Sequence, residues 1–167
     1  MKIYKIAFPN KQTKKQTKDP FGLNYDTLVN SLQDTLAEEE SEMDLNQTMK
    51  KIISHLQKIQ KRPSITLYRL IFVKSQEEIN KNNLGLHYVE KVEDFHEHMI
   101  DWLFQNAREK NPQLTEDDAF LVTVTTPTIN IDYQNTLITN SNHPYEEEIM
   151  LLSSQNINIV KIQTFWQ

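Results

Sequence analysis

The second part of the chain alternates short apolar runs with polar turns, which is the pattern of β-strands. Residues 65–73 and 119–126 are β-branched, aromatic and almost entirely apolar, as expected for strands inside a sheet. Shorter extended segments are predicted at residues 86–89, 129–132, 135–140, 149–152 and 157–165. Together these segments predict roughly six strands in the second two-thirds of the chain.

Helical spacing precedes the strands and occurs once among them. Apolar residues from Leu28 to Leu36 predict one helix, and those from Leu45 to Ile59 predict a second helix that Pro63 ends. A third helix is predicted from Glu93 or Asp94 to about Lys110. This order favours an α+β fold, with a mixed sheet or a split sandwich, over a parallel doubly wound sheet.

The expected domain organisation has two parts that form one compact unit. Residues 1–62 would be an N-terminal helical extension, and residues 63–167 would be the core. Residues 10–20 are polar and basic without apolar periodicity, which predicts a solvated loop.

Composition removes several classes of function. The 167 residues carry a formal net charge of −5, which gives no electrostatic argument for a dedicated nucleic-acid binder. The absence of cysteine excludes disulfides, thiol nucleophiles and cysteine metal sites. The two glycines, Gly22 and Gly85, cannot supply a Walker or dinucleotide-binding loop. His96 and His98 are two residues apart on a predicted helix and make a poor metal pair, so no metal site is predicted.

Charged residues stand at two positions where apolar ones are expected. Glu146, Glu147 and Glu148 lead directly into the apolar residues 149–152, and strand alternation would place Glu146 and Glu148 on one face. Two carboxylates there are costly unless they are paired, solvated or used. Arg69 lies within the strand at 65–73, where its permanent charge calls for a carboxylate or a phosphate. A solvated strand entrance and a structural ion pair with Arg69 are alternatives to a catalytic role.

These residues form an ordered set of motifs. Tyr68-Arg69 comes first, the segment Gly85-Leu86-His87-Tyr88 follows, and Glu146-Glu147-Glu148 precedes a late apolar strand. In that order they resemble the mono-ADP-ribosyltransferases of the arginine–serine–glutamate class. The resemblance covers about residues 65–165 and leaves the N-terminal third unmatched. The family's Ser-Thr-Ser motif is replaced here by residues 86–89, which is a departure from the pattern.

The resemblance implies an enzyme that cleaves the nicotinamide–ribose bond of NAD and transfers ADP-ribose to a macromolecule. Glu148 would stabilise the oxocarbenium-like transition state, and Glu146 would orient or deprotonate the acceptor. Arg69, together with Tyr68, would contact the NAD phosphates and support the nucleotide pocket. NAD would be a substrate, and no metal would be required.

Other side chains would take the roles of the family's Ser-Thr-Ser motif, which this chain lacks. His87 would hydrogen-bond the catalytic glutamate and the ribose, since imidazole both donates and accepts. Tyr88 would stack on nicotinamide. Tyr145 and His143 would belong to the loop that meets the acceptor.

The expected acceptor is a protein arginine, and a nucleic-acid acceptor is an alternative. An NAD glycohydrolase would use the same site with water as acceptor, and a non-catalytic interaction protein could retain the fold. The charged chain start is too short for a signal-peptide core, and no segment suggests a membrane span. We therefore expect a cytoplasmic protein, acting in its own cell or delivered to a target cell as a toxin or phage effector. No sequence pattern indicates an oligomeric state.

Overall fold

A computed structural model of the chain describes residues 42–142 and 147–166. This part is α+β, as predicted, with three α-helices and five strands. The predicted helix at Leu28–Leu36 and the basic loop at residues 10–20 lie outside it. In chain order the elements are α1 (Glu42–Gln60), β1 (Ser64–Phe72), β2 (His87–Val89), α2 (Glu97–Lys110), β3 (Ala119–Pro127), α3 (Tyr133–Asn142), β4 (Glu148–Met150) and β5 (Asn158–Thr164).

The strands form one sheet in the order β4-β2-β1-β3-β5. Each hydrogen-bonded pair of neighbours is antiparallel, so the sheet of the described residues is not the mixed sheet that the sequence suggested. The longest ladder joins β1 to β3, from Ser64 opposite Pro127 to Phe72 opposite Ala119. The two most apolar segments of the chain are therefore paired with each other inside the sheet.

Both faces of the central ladder are buried. Leu67 on β1 and its partner Val124 on β3 project to one face, and both side chains are fully buried. The opposite face carries Leu70 and Phe72, and there α2 packs through Phe104, whose ring centroid lies 5.2 Å from that of Phe72. Each fully buried side chain of this size stabilises the fold by about 1.5–3 kcal/mol. Burial on both faces accounts for the nearly continuous apolar sequence of β1 and β3.

One segment predicted as extended is helical. Residues 135–140 were expected to be a short strand, but α3 covers Tyr133–Asn142. The extended segment expected at residues 129–132 is confirmed in part, because Thr128–Asn130 is a 3-10 turn but Ile131 is extended and forms an antiparallel bridge with Leu151. Threonine and isoleucine at residues 135–140 favour strands by propensity, and tertiary burial overrides that preference. The buried residues Thr136, Leu137 and Asn140 instead follow helical spacing.

The start of α2 also differs from the expectation. The helix was predicted to begin at Glu93 or Asp94, but Val92–Asp94 forms a separate 3-10 turn and α2 begins at Glu97. Phe95 and His96 separate the two elements, and both have non-helical ψ angles. The predicted helix end at Lys110, before Asn111-Pro112, is confirmed.

The described residues divide into two compact units. Residues 42–61 and 133–142 form the first unit, in which α1 and α3 pack together, and residues 62–132 and 147–166 form the second unit with the whole sheet. Among the described helices, none is both long and apolar enough to cross a membrane.

Candidate functional site

His87 and Glu148 meet on neighbouring strands. β2 pairs with the edge strand β4 in a register that sets Val89 opposite Glu148 and His87 opposite Met150. His87 lies two residues before Val89, so its side chain projects to the same face as that of Glu148. The imidazole Nδ1 is 3.1 Å from Glu148 Oε2, with the carboxylate side chain only 18% exposed. A hydrogen bond from Nδ1–H to the carboxylate fixes the position of the glutamate.

Arg69 lies on the opposite face of the sheet from Glu148. The register sets Tyr68 opposite Val89, and Arg69 therefore neighbours Tyr88 on the next strand. The guanidinium Nη1 donates a hydrogen bond of 3.1 Å to the carbonyl oxygen of His87. Among the described residues, the side chain of Arg69 makes no other hydrogen bond, and no ion pair joins it to Glu148. The structural ion pair between Arg69 and Glu148, one of the sequence alternatives, is therefore not formed.

The Arg69 guanidinium is incompletely satisfied. Its Nε is buried and has no hydrogen-bond partner among the residues that the structure describes. Burial lowers the pKa of Arg69 below its ordinary value, while the neighbouring Tyr88 and Glu148 act in the opposite direction. An arginine stays protonated despite such a shift. The result is a buried cation with an unused donor, which costs free energy in the isolated protein.

Tyr88 is held as a neutral phenol beside that cation. Its side chain is fully buried, and its hydroxyl donates a hydrogen bond of 3.2 Å to the carbonyl oxygen of Gly85. Gly85 has a φ of 75°, a conformation that glycine adopts without strain. Burial raises the pKa of Tyr88, and the charge of Arg69 opposes that shift. Tyr88 is thus a fixed wall of the Arg69 environment rather than an exposed stacking surface.

Tyr68 lies on the same face of the sheet as Glu148 and not on the face of Arg69. Tyr68, Val89 and Glu148 occupy one row across β1, β2 and β4, and their side chains share a face. Two strand spacings separate Tyr68 from Glu148, a distance of about 10 Å. The half-buried Tyr68 ring therefore flanks the His87–Glu148 pair across Val89.

The remaining predicted site residues, Glu146, His143 and Tyr145, lie outside the described residues. Glu147 was expected to alternate with Glu148 along an extended strand, but its φ is 49° and β4 begins only at Glu148. The alternation rule applies to extended backbone and does not hold at a left-handed residue.

Glu147 has a partner that the sequence did not indicate. Its carboxyl group neighbours that of Asp94, which lies in the turn after β2. Burial and the repulsion from Glu147 raise the pKa of Asp94 above the ordinary aspartate value. A nearby carboxylate disfavours the charged form of a second carboxyl group. The sequence indicated Asp94 only as a possible helix start and not as a partner of Glu147, because only the fold brings its turn to the start of β4.

The sheet unit also contains a cavity away from these residues. It has a volume of about 750 Å³ and lies where the beginning of β1, the end of β3 and the beginning of β5 meet. Its walls combine hydroxyl and amide groups with apolar side chains, and Lys81 supplies a cation whose Nζ lies 3.4 Å from the carbonyl oxygen of Gln155. None of the described residues predicted for the site lines it.

No metal site emerges from residues 42–142 and 147–166, where no three His, Cys, Asp or Glu side chains converge. Comparison of the chain with models of known protein families, with curated proteins and with solved structures found no match to any of the three.

Proposed function

We propose that the protein is an NAD-dependent mono-ADP-ribosyltransferase with a protein arginine as acceptor. The observation that carries this proposal is the contact of His87 with both Glu148 and Arg69. The ring of His87 holds the carboxylate on one face of β2, and its carbonyl oxygen accepts from the guanidinium. One residue thus links the carboxylate for chemistry to the cation for phosphate binding.

The environment of Arg69 fits an anionic substrate group. Its buried Nε–H lacks a partner in the described chain, and a phosphate oxygen would satisfy it. Charge-assisted hydrogen bonds of this kind are roughly twice as strong as neutral ones. NAD has two phosphate charges, so Arg69 is the residue that would hold the nucleotide.

Glu148 suits the chemical step. Breaking the nicotinamide–ribose bond leaves positive charge on the sugar, and a fixed carboxylate with little exposure to water stabilises such charge. The hydrogen bond from His87 prevents the carboxylate from rotating away, so less reorganisation is needed as the charge develops. The ADP-ribosyltransferase-type fold, and the acceptor roles of Glu146, Tyr145 and His143, belong to this proposal.

A second candidate is a non-catalytic interaction protein. The observation that favours it is the placement of the Arg69 and Glu148 side chains on opposite faces of the sheet. A single NAD molecule would then have to pass an end of β2 to meet both groups. An NAD glycohydrolase remains a variant of the enzymatic proposal, because it needs the same residues and differs only in the acceptor.

One experiment separates the three functions. The full chain is incubated with NAD labelled in the adenylate, in the presence of arginine-rich protein, and nicotinamide release is measured together with protein-bound label. Transfer predicts label on protein, hydrolysis predicts free ADP-ribose, and an interaction protein gives neither. The Glu148→Gln variant must abolish the signal, whereas Glu93→Gln, a change at an exposed glutamate of the turn after β2, must preserve it. An unchanged signal in Glu148→Gln would show that Glu148 is not the catalytic residue.

A further inference from the structure

We infer that a second cavity of the sheet unit, with a volume of about 390 Å³, binds an arginine side chain of a partner polypeptide. It lies at the end of β1 and is bordered by α2 and by Trp166. The inference goes beyond the proposed transferase activity and does not depend on it. The cavity, called the aromatic cavity below, is lined by Phe72, Glu97, Ile100, Asp101, Phe104, Glu116 and Trp166.

The indole of Trp166 forms a prearranged wall of the aromatic cavity. Its Nε1–H donates a hydrogen bond of 2.7 Å to the carbonyl oxygen of Glu116, so the polar atom of the ring is already satisfied. The ring packs edge-on against Phe165, with centroids 4.8 Å apart, and Phe165 packs in turn against Phe95. The side chain of Trp166 nevertheless remains 53% exposed. A ring that is fixed and half exposed offers its π-surface to a ligand without further ordering.

The inner wall consists of aromatic rings that already attract a guanidinium group. Phe72 and Phe104 are buried and contact each other. The guanidinium carbon of Arg108 lies 5.7 Å from the centroid of Phe104, within the range of a cation–π interaction. Arg108 itself does not line the aromatic cavity.

Negative charge surrounds this aromatic surface. Glu97 and Asp101 are four residues apart on α2 and thus lie on one side of the helix, and Glu116 contributes a third carboxylate from the turn before β3. The lining contains no lysine or arginine. Within the described residues, none of these three carboxylates forms an ion pair. A concave site with aromatic walls and uncompensated carboxylates selects a cation that also has a flat face.

Arginine fits these walls better than the other protein cation. Its planar guanidinium stacks on an aromatic ring and donates to carboxylates in its own plane at the same time. A lysine ammonium is a compact, strongly hydrated charge that offers no planar surface. The volume of the aromatic cavity is within the range of small-ligand sites, about 300–1,000 Å³.

Trp166 provides a direct test, because the chain has two tryptophans and Trp102 does not line the cavity. The Trp102→Phe variant of the full chain, whose fluorescence reports Trp166, is titrated without NAD with the peptide acetyl-Gly-Arg-Gly-amide. Matched peptides have citrulline, which is neutral but similar in shape, or lysine in place of arginine. We expect a saturable fluorescence change with the arginine peptide and about tenfold weaker binding of both the citrulline and the lysine peptide.

The carboxylates are tested with a matched pair of substitutions in the same background. Asp101→Asn removes a charge from the aromatic cavity and should weaken binding several-fold. Asp117→Asn removes the same charge from an exposed neighbour of Glu116 outside the cavity and should leave binding within about twofold. Circular dichroism confirms that each variant is folded. Equal binding of the citrulline peptide, equal effects of the two substitutions, or no saturable change up to millimolar peptide would each overturn the inference.

Because NAD is absent from this titration, its outcome is separate from that of the transferase assay. Peptide binding without NAD turnover would support the aromatic cavity and argue against the enzyme. Turnover without peptide binding would do the reverse.

Discussion

His87 Nδ1 lies 3.1 Å from Glu148 Oε2, and this contact joins β2 to the edge strand β4. Both strands are only three residues long, so few backbone hydrogen bonds fix their relative position. The side-chain contact therefore contributes to the order of this edge as well as to the orientation of the carboxylate. The two contributions can be separated by substitution, because glutamine keeps the acceptor oxygen and removes the charge.

Glu148→Gln is expected to abolish NAD turnover while leaving the fold intact. The amide oxygen still accepts from His87, so the free energy of unfolding should change by no more than about 1.5 kcal/mol. The lost charge no longer stabilises the developing positive charge, so nicotinamide release should fall about 100-fold or more. Urea denaturation and a nicotinamide-release assay measure the two effects. A large loss of stability would mean that the charge of Glu148 is structural.

Arg69→Met is expected to separate nucleotide binding from folding. Replacing a buried cation by an apolar side chain of similar length is often neutral or stabilising, so the free energy of unfolding should stay within about 1 kcal/mol or rise. Loss of a charge-assisted contact to phosphate should raise the KM for NAD about tenfold or more. Arg69→Lys should not restore the KM, because an ammonium group cannot reproduce the guanidinium fork.

The control for that variant is Arg62→Met. Arg62 is 52% exposed and lies 3.7 Å from a carboxylate oxygen of Glu90, an arrangement that contributes little to stability. It should leave both the KM and the urea midpoint nearly unchanged. A loss of more than about 3 kcal/mol in Arg69→Met alone would instead identify Arg69 as a structural residue, since that is the cost of breaking a needed buried charge interaction.

The sequence did not predict that Arg69 and Glu148 lie on opposite faces of the sheet. The apolar residues around Arg69 predicted its strand, and the residues after Glu148 predicted β4. Which face each side chain takes depends on register, and the row through Val89 contains Tyr68 rather than Arg69. A shift of one residue exchanges the faces of a whole strand, and no local pattern specifies register between strands far apart in sequence.

Local rules also failed at α3 and Glu147, for different reasons. In α3, strand-favouring residue types indicated extended backbone, while the burial of Thr136 and Leu137 in a packed helix decides the conformation. At Glu147, a left-handed backbone breaks the alternation expected for a strand, and it does so without a glycine to signal it. Both features arise from tertiary packing, whereas β1 and β3 could be predicted as strands from their apolar sequences alone.

The carboxyl pair of Asp94 and Glu147 predicts a pH dependence of stability. The pKa of Asp94 is raised in the folded chain by burial and by Glu147, while Lys91 opposes the shift. The folded chain therefore binds more protons than the unfolded chain between the ordinary and the raised pKa. The favourable contribution of protonated Asp94 is complete below the ordinary aspartate pKa and is lost as the pH rises through the raised value.

Asp94→Asn should remove that loss, because asparagine does not ionise. The melting temperature of the variant relative to the natural chain should therefore increase between about pH 3.5 and pH 7. Thermal unfolding followed by circular dichroism across this range measures the difference, with Glu93→Gln as the control for removing an exposed charge from the same turn. A difference independent of pH would rule out a raised pKa for Asp94.

Asn130 is predicted to be the polar side chain whose loss costs most in the sheet unit. It is only 4% exposed, and its amide group makes three hydrogen bonds. Nδ2 donates to the hydroxyl of Thr126 at 3.0 Å and to the carbonyl oxygen of Ser153 at 2.9 Å, while Oδ1 accepts from the backbone N–H of Ser153 at 3.2 Å. The side chain thus ties the turn after β3 to the loop after β4.

Asn130→Ala removes these three hydrogen bonds; the backbone N–H and carbonyl oxygen of Ser153 lose their amide partner, whereas the Thr126 hydroxyl still donates to the carbonyl oxygen of Asn156. A polar group left without a partner costs about 1–3 kcal/mol when water cannot reach it. We expect the free energy of unfolding to fall by about 2–4 kcal/mol, since some of the partners will regain water. Urea denaturation of the natural chain, Asn130→Ala and the exposed α2 control Gln105→Ala measures this loss. A loss in Asn130→Ala no larger than that in Gln105→Ala would mean that water replaces the amide at no cost, and that the connection between the two loops does not depend on Asn130.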